Sequence, residues 1–276
     1  MNAQTAINMG RFLNFVYGSC NSVSKATDLD GKTVLFNGEP VVSGLTYTVL
    51  KTIYSNDLAT DFHPILDGYT TIGIVAQNSA NPTDIVIAIR GTVGVWEWVQ
   101  DAKFLARPFP PVVGSGLTDD GFTDMYLSFS FVPASTTTFM QNLKDLLPSN
   151  AQVMICGHSL GSSLATLLAL DMSVNTNFAV TVYTLASPRV GDMIFHNLFN
   201  HVVPNTYRIA NRLDIVPKTP PPLLYFHVGD ETELIPDKSL RFTLVCEHTL
   251  SSYLNMLGAQ IGQAGEYPLD ADCLQA

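Results

Sequence analysis

Ser159 lies in a sequence pattern that is typical of a nucleophilic serine. The pattern G-x-S-x-G occupies residues 157–161, after an apolar run at 153–156 and before a helical pattern at 160–173. The chain must reverse between strand and helix, and the two glycines remove side chains that would clash in that turn. Such a turn presents the hydroxyl beside the amino end of a helix, which favours developing negative charge. The context therefore favours a nucleophile over a chance match in a Gly/Ser-rich loop.

His248 is the predicted base for this serine. In a strand-turn-helix site of this kind the acid and then the base follow the nucleophile along the chain. His248 lies late in the sequence, on an expected loop before a helical pattern that starts at Leu250. The other downstream histidines are expected in a helix, at its exit or in an apolar strand at 224–228: His196, His201 and His227.

Asp214 is the predicted acid. It follows a strand that ends near Ala210, in a loop at the carboxyl edge of the expected sheet. There a carboxylate would hold the imidazole in one tautomer and stabilise the imidazolium. Three other aspartates compete less well, because one caps a helix and two belong to a charged, solvated turn around 230–233: Asp192, Asp230 and Asp237.

The elements that must position these side chains alternate between strand and helix. An alternating strand at 45–54 and its neighbour at 70–77 come first. Three continuously apolar runs, typical of parallel strands covered on both faces, follow at 85–89, 153–156 and 180–186. Helical patterns lie at 2–18, 135–147, 160–173 and 191–200. This alternation predicts an α/β fold: a mostly parallel central sheet with helices on both faces and the early antiparallel pair at one edge.

Composition and charge exclude several classes of protein. The net charge is −10 and no Lys/Arg cluster occurs, so nucleic acid is not an expected partner. No apolar run approaches the roughly 20 residues of a transmembrane helix. The stretch at 12–17 lacks the features of a secretory signal, so we expect a cytoplasmic protein or a mature secreted form.

The cysteines and aspartates indicate no metal site. The four cysteines lack zinc-site spacing, and the run at 28–31 begins like a calcium loop but lacks its later ligands. No cofactor is expected. Cys156 is expected to be a small buried hydrophobe, whereas a disulfide among the other three cysteines stays open: Cys20, Cys246 and Cys273. The oligomeric state also stays open.

Several segments together resemble the class 3 lipases, the family of filamentous-fungal triacylglycerol lipases and their bacterial relatives. The matching segments lie in the family's order at 89–92, 157–161, 186–192, 207–217 and 226–229. The resemblance covers about residues 70–255. It places His248 at the position of the family's catalytic base. It implies an α/β-hydrolase fold in a single domain over 1–276. The chain departs from the family pattern at Ser162-Ser163, where glycine and alanine are usual, and before Gly121-Phe122, where a basic residue or histidine is often seen.

The same resemblance implies an oxyanion hole and a lid. The backbone N–H groups of Thr92 and Leu160 would bind the oxyanion, with Asp101 supporting Thr92. A mobile lid helix would occupy about 93–101, and its apolar residues would meet the substrate: Val95, Trp96, Trp98 and Val99. An ordinary surface helix with core-packed tryptophans is the alternative for this segment.

These residues together predict a triacylglycerol lipase that acts through an acyl-enzyme at a lipid–water interface. Phospholipase A1 and feruloyl or short-chain esterase activity remain as alternatives, since these enzymes differ in lid and pocket rather than in the triad. A non-catalytic lipid-binding protein on the same scaffold would be marked by the loss of a triad residue. No triad residue is missing from this sequence.

Overall fold

A seven-stranded sheet forms the centre of the structure. The structure is a computed structural model, and it describes residues 1–20, 26–56, 68–92, 104–133 and 135–275. Within these residues the spatial order of its strands is β11-β10-β9-β8-β5-β4-β3. Their bounds are β3 (Tyr47–Asn56), β4 (Tyr69–Asn78), β5 (Asn81–Ile89), β8 (Gln152–His158), β9 (Ala179–Leu185), β10 (Thr206–Asn211) and β11 (Asp230–Leu234). The five strands from β5 to β11 are parallel, whereas β3 and β4 form an antiparallel edge.

Helices cover both faces of the sheet. They are α1 (Ala3–Ser19), α2 (Asp120–Leu127), α3 (Phe139–Leu146), α4 (Leu160–Asn175), α5 (Met193–Val202), α6 (Leu244–His248) and α7 (Leu250–Gln260). Two short antiparallel pairs lie outside the main sheet: β1 (Leu35–Phe36) with β2 (Glu39–Pro40), and β6 (Ala106–Pro108) with β7 (Leu117–Asp119). Across the described ranges no helix is both long and apolar enough to traverse a bilayer.

The alternation of side chains along each strand divides the core in two. Ile85, Ile87 and Ile89 of β5 pack with helices α2 to α5, whereas Val86 and Ala88 pack with α1 and α7. Because successive side chains of a strand point to opposite faces, a continuously apolar strand supplies both cores. The predicted parallel sheet, its helices and its antiparallel edge pair are confirmed.

The region after Pro222 differs from the prediction. Residues 224–228 were expected to form a strand, but they contribute only an isolated bridge between Gly191 and Phe226. The expected charged turn at 230–233 is instead the edge strand β11, paired in parallel with β10. A polar strand is stable there because one side faces solvent and Glu231 and Glu233 pair with arginines of or next to β10. Charge pattern alone did not distinguish such a strand from a turn.

A disulfide joins Cys246 of α6 to Cys273, which lies in the short 3₁₀ turn Ala271–Cys273. Their Cα atoms are 5.2 Å apart. The structure thereby settles the pairing that the sequence left open, and Cys20 and Cys156 are free thiols. Cys156 is fully buried, as expected for a small hydrophobic residue in a central strand.

Candidate active site

Ser159 alone links strand β8 to helix α4. Its backbone has φ 59° and ψ −131°, a conformation that costs an L-residue about 1–3 kcal/mol. The flanking glycines are required by contact: a Cβ on Gly157 would lie 2.3 Å from the carbonyl oxygen of Gly161. A Cβ on Gly161 would lie 2.2 Å from the carbonyl oxygen of Ile89. The spacing of the motif therefore follows from how closely α4 approaches the strands.

Ser159, His248 and Asp214 form a continuous chain of hydrogen bonds. His248 Nδ1 lies 2.8 Å from Asp214 Oδ2, and His248 Nε2 lies 2.8 Å from Ser159 Oγ. A carboxylate accepts only, so Nδ1 carries the proton and Nε2 is left to accept from the serine hydroxyl. All three residues are buried. The tautomer that Asp214 selects is therefore the one in which the imidazole can remove a proton from Ser159.

Asp214 is held by three donors although it is fully buried. Besides His248, the Val216 N–H donates to Oδ1 at 2.9 Å and the Tyr253 hydroxyl donates to Oδ2 at 2.9 Å. The Tyr253 hydroxyl in turn accepts the Asn211 N–H at 2.9 Å. Hydrogen bonds to a carboxylate favour its charged form and offset the cost of burial. Sequence analysis did not single out Tyr253 and missed this contact.

His158, the residue before the serine, is a neutral connector. Its Nε2 lies 2.9 Å from the backbone carbonyl of His248, which can only accept, so Nε2 carries the proton. Its Nδ1 then accepts from the Tyr17 hydroxyl at 2.9 Å, and that hydroxyl accepts the Gly91 N–H at 2.7 Å. Burial and the neighbouring His248 lower the pKa of His158 to about 3, so the ring stays uncharged. Sequence analysis did not single out Tyr17, which lies on α1.

The segment predicted to form the oxyanion hole lies beside Ser159. A Cβ on Gly91 would come within 2.9 Å of Ser159 Cβ, so the chain leading into Thr92 passes directly over the serine. Leu160 is the first residue of α4, and the first N–H groups of a helix have no acceptor within the helix. The positions predicted for the two oxyanion donors are thus brought to the edge where Ser159 turns.

Five further residues were predicted to belong to the site. Asp101 and the lid residues fall outside the described part of the chain: Val95, Trp96, Trp98 and Val99. His227 Nε2 donates to the Pro217 carbonyl oxygen at 2.7 Å, and the His227 carbonyl oxygen accepts from His196 Nδ1. Asp192 caps α5 as expected, its carboxylate accepting the Phe195 N–H. Within the described ranges, no three side chains cluster as metal ligands would.

Arg189 is a further residue that sequence analysis did not assign a role. Its guanidinium donates to the carbonyl oxygens of Lys218 and Pro220 at 2.6 and 2.7 Å. Both carbonyls belong to the loop that follows Asp214. Arg189 therefore helps to hold the loop that follows Asp214 in place. Residues behind a site commonly stabilise it in this way.

Comparison with known proteins identifies relatives of this chain. The family model described as Lipase (class 3) matches residues 86–224, just over half of the chain. Phospholipase A1-II 7 of Oryza sativa subsp. indica is 32% identical over 226 residues, covering 68% of this chain and 54% of the relative. A lipase of Rhizomucor miehei is 33% identical over 191 residues, covering 67% of this chain and 50% of the relative. The chain thus spans about half the length of these curated relatives.

Solved structures share the fold. The Rhizomucor miehei triacylglyceride lipase superposes with a TM-score of 0.59 at 25% identity, over 84% of this chain and 78% of that one. A mutant form of MDLA from Penicillium cyclopium superposes with a TM-score of 0.65 at 23% identity, over 89% of this chain and 86% of that one. The architecture is the α/β-hydrolase fold. Given this fold, the Ser159 elbow and the matching family model, the chain belongs to the class 3 lipase family.

Proposed function

We propose that this protein hydrolyses carboxylic esters of lipids, and triacylglycerols in particular, with Ser159 as nucleophile, His248 as base and Asp214 as acid. The observation that carries the proposal is the hydrogen-bond chain from Asp214 through His248 to Ser159 Oγ at a strained strand-to-helix turn. Family membership adds the chemical class, because the matching model is that of lipases.

The proposed reaction proceeds through an acyl-enzyme. Ser159 Oγ attacks the ester carbonyl carbon while His248 Nε2 takes its proton, and the carbonyl oxygen becomes an oxyanion. The N–H groups of Thr92 and Leu160 donate to that oxyanion. The imidazolium, stabilised by Asp214, then protonates the leaving alcohol, and the acyl group stays on Ser159. Water attacks the acyl-enzyme in the same way, with His248 again as base, and releases the fatty acid.

The proposal extends to the lid and the domain. Residues 1–276 would form one domain, with a lid at about 93–101 that opens at a lipid–water interface. Asp101 would hold Thr92 in place, and the apolar lid residues would contact the acyl chain: Val95, Trp96, Trp98 and Val99. Tryptophan suits such an interface because its ring is apolar with one polar N–H.

Phospholipase A1 activity is the second candidate. It is supported by the relative from Oryza sativa subsp. indica, whose name is Phospholipase A1-II 7. The same triad would cleave the ester of a phospholipid, so the two activities differ in the lipid that is bound rather than in the chemistry.

The test measures hydrolysis of p-nitrophenyl butyrate, p-nitrophenyl palmitate, emulsified triolein and phosphatidylcholine vesicles. Ser159→Ala should lower kcat by about 10⁴-fold or more, since the serine and histidine act as a unit. Ser163→Ala is the matched control, because Ser163 is a buried serine of α4, the helix that follows Ser159, and its hydroxyl has no hydrogen-bond partner among the described residues.

The four substrates distinguish the proposed activities from one another. Cleavage of p-nitrophenyl palmitate and triolein that depends on Ser159 supports the lipase proposal. Release of fatty acid from phosphatidylcholine but not from triolein would replace it with phospholipase A1. Cleavage of butyrate alone would reduce it to a short-chain esterase. Equal rates in the wild type and Ser159→Ala, or no cleavage of any ester, would overturn it.

A further inference from the structure

A cavity lies on the α2–α4 side of the sheet, away from Ser159. Its volume is about 560 Å³, within the range of small-molecule sites. The residues around it come from the end of α2, the start of α3 and the last turns of α4, and they do not include Ser159, His248 or Asp214. Asp171, which lines it, follows Ser159 by twelve residues of α4, or about 18 Å along a helix. The cavity is therefore separate from the candidate active site.

Asp171 contributes a buried carboxyl side chain to the lining of this cavity. Its side chain is buried, 5% exposed, and accepts from the Tyr126 hydroxyl at 2.5 Å and from Asn175 Nδ2 at 2.6 Å. A carboxylate has about four acceptor positions, so two protein donors leave acceptor capacity unused. No ion pair among the described residues involves Asp171, although buried charges in proteins are ordinarily paired.

Aromatic residues line the same cavity as this carboxylate. Tyr126, Phe129 and Phe139 form a contiguous set with ring centroids 5.2 and 5.3 Å apart, and Tyr69 also lines the cavity. The faces of aromatic rings attract cations, and quaternary ammonium groups are recognised by such rings. The lining of the cavity thus combines two features that bind an organic cation: the buried carboxylate of Asp171 and several aromatic rings.

The exposed part of the cavity lining carries a positive charge instead. Lys144 of α3 lines the cavity from the exposed side, next to the exposed hydroxyls of Thr136, Thr137 and Thr138. An ammonium group and several hydroxyls are suitable donors for a phosphate. Ser130 also lines the cavity, and its buried hydroxyl has no hydrogen-bond partner among the described residues and can serve a ligand.

We propose that this cavity binds a zwitterionic phosphocholine group, with the quaternary ammonium against Asp171 and the aromatic rings and the phosphate at Lys144 and the threonine hydroxyls. The positive end of the ligand meets the buried carboxylate, and its negative end meets the exposed lysine. The bound group is either the headgroup of a phospholipid or a free phosphocholine compound, which share this chemistry. The site does not depend on Ser159 and would bind without hydrolysis.

Isothermal titration calorimetry with phosphocholine and with choline tests the proposal on the wild-type protein. Asp171→Asn should weaken both ligands by roughly tenfold or more, whereas Lys144→Ala should weaken phosphocholine similarly and leave choline within about twofold. Asp145→Asn and Lys238→Ala are the matched controls, because each changes an exposed charge that does not line the cavity. Ser159→Ala should bind like the wild type, which separates this site from the proposed catalytic one.

A diether glycerophosphocholine, which cannot be hydrolysed, identifies the source of the ligand. Binding at least roughly tenfold tighter than phosphocholine indicates a phospholipid, and equal binding indicates that the free headgroup suffices. The proposal is overturned if phosphocholine gives no binding heat up to about 20 mM, or if either Lys144→Ala or a folded Asp171→Asn binds it as the wild type does. Because Lys144 is exposed, its variant keeps the test decisive even if Asp171→Asn fails to fold.

Discussion

The Tyr17 hydroxyl and His158 Nδ1 are 2.9 Å apart although the two residues are separated by 141 positions in the chain. This contact joins the first helix to the turn that carries Ser159. Through the same hydroxyl Tyr17 also holds the N–H of Gly91, next to Thr92, and through His158 it reaches the His248 carbonyl. One partly buried tyrosine thus connects the segments that carry Ser159, His248 and the predicted oxyanion donor.

Replacing Tyr17 with phenylalanine should lower kcat by roughly ten- to a hundredfold and change KM for a soluble ester by less than about twofold. The variant leaves the Gly91 N–H and His158 Nδ1 unpaired in a buried site, at about 1–3 kcal/mol for each group. Steady-state kinetics with p-nitrophenyl butyrate check this. Tyr207→Phe, at the far end of β10 from Asp214, is the control. An unchanged kcat in Tyr17→Phe would show that Tyr17 does not position the site.

The stability of the protein should fall in acid partly because of His227. Burial and the nearby Arg208 and Arg189 lower its pKa to about 3, so the unfolded chain binds a proton between pH 6.5 and 3 that the folded chain does not. The contribution of His227 to the free energy of unfolding is therefore fully present above pH 6.5. It is lost as the pH falls from 6.5 towards 3. His227→Gln should reduce the loss between pH 6.5 and 4.5 by about 2 kcal/mol.

Urea unfolding at these two pH values measures this difference. His201→Gln, which removes an exposed histidine, should leave the pH dependence as in the wild type. If His227→Gln and the wild type lose the same stability in acid, His227 is not responsible. His158, whose pKa is also lowered to about 3, would then remain to account for the acid loss.

Removal of the disulfide should destabilise the protein and hold His248 less firmly in its position. The bridge closes a sequence separation of 27 residues, for which chain entropy predicts about 3–4 kcal/mol. Cys246 lies two residues before His248, so the double variant Cys246→Ser/Cys273→Ser should also lose activity before it unfolds globally. Urea unfolding and residual kcat at low urea check both effects. The control is Cys20→Ser, which removes a free thiol; equal stability of the two variants would contradict the prediction.

Gly161→Ala should abolish activity, whereas Gly18→Ala should be tolerated. The new Cβ at position 161 would lie 2.2 Å from the Ile89 carbonyl oxygen, so α4 must shift away from β5 and move Ser159 with it. Displacements of this kind cost at least about a hundredfold in rate. At Gly18 nothing lies within 4 Å of an added Cβ. Comparing kcat/KM and near-ultraviolet circular dichroism of the two variants tests the assignment, which full activity of Gly161→Ala would refute.

Local pattern was sufficient to predict the parallel sheet and the turn at Ser159. Apolar runs, the glycine pair and the helical period that follows all lie within a few residues of one another, and each has a direct backbone consequence. The same reasoning failed at 224–233, where an apolar segment without sheet partners was expected to be a strand and the charged β11 was expected to be a turn. Pairing with β10 decided that region, and pairing is not a local property.

The sequence by itself determined the fold class and named Ser159, His248 and Asp214 as candidates, because their types, order and strand-end positions limit the choices. Only the tertiary structure decided that these side chains are within hydrogen-bond distance of one another. It also selected Tyr17 and Tyr253 as their supports and Cys246 with Cys273 as the disulfide. Such contacts join segments far apart in the chain, and they form only when packing against one face of the sheet fixes α1 and α7 relative to the strand ends.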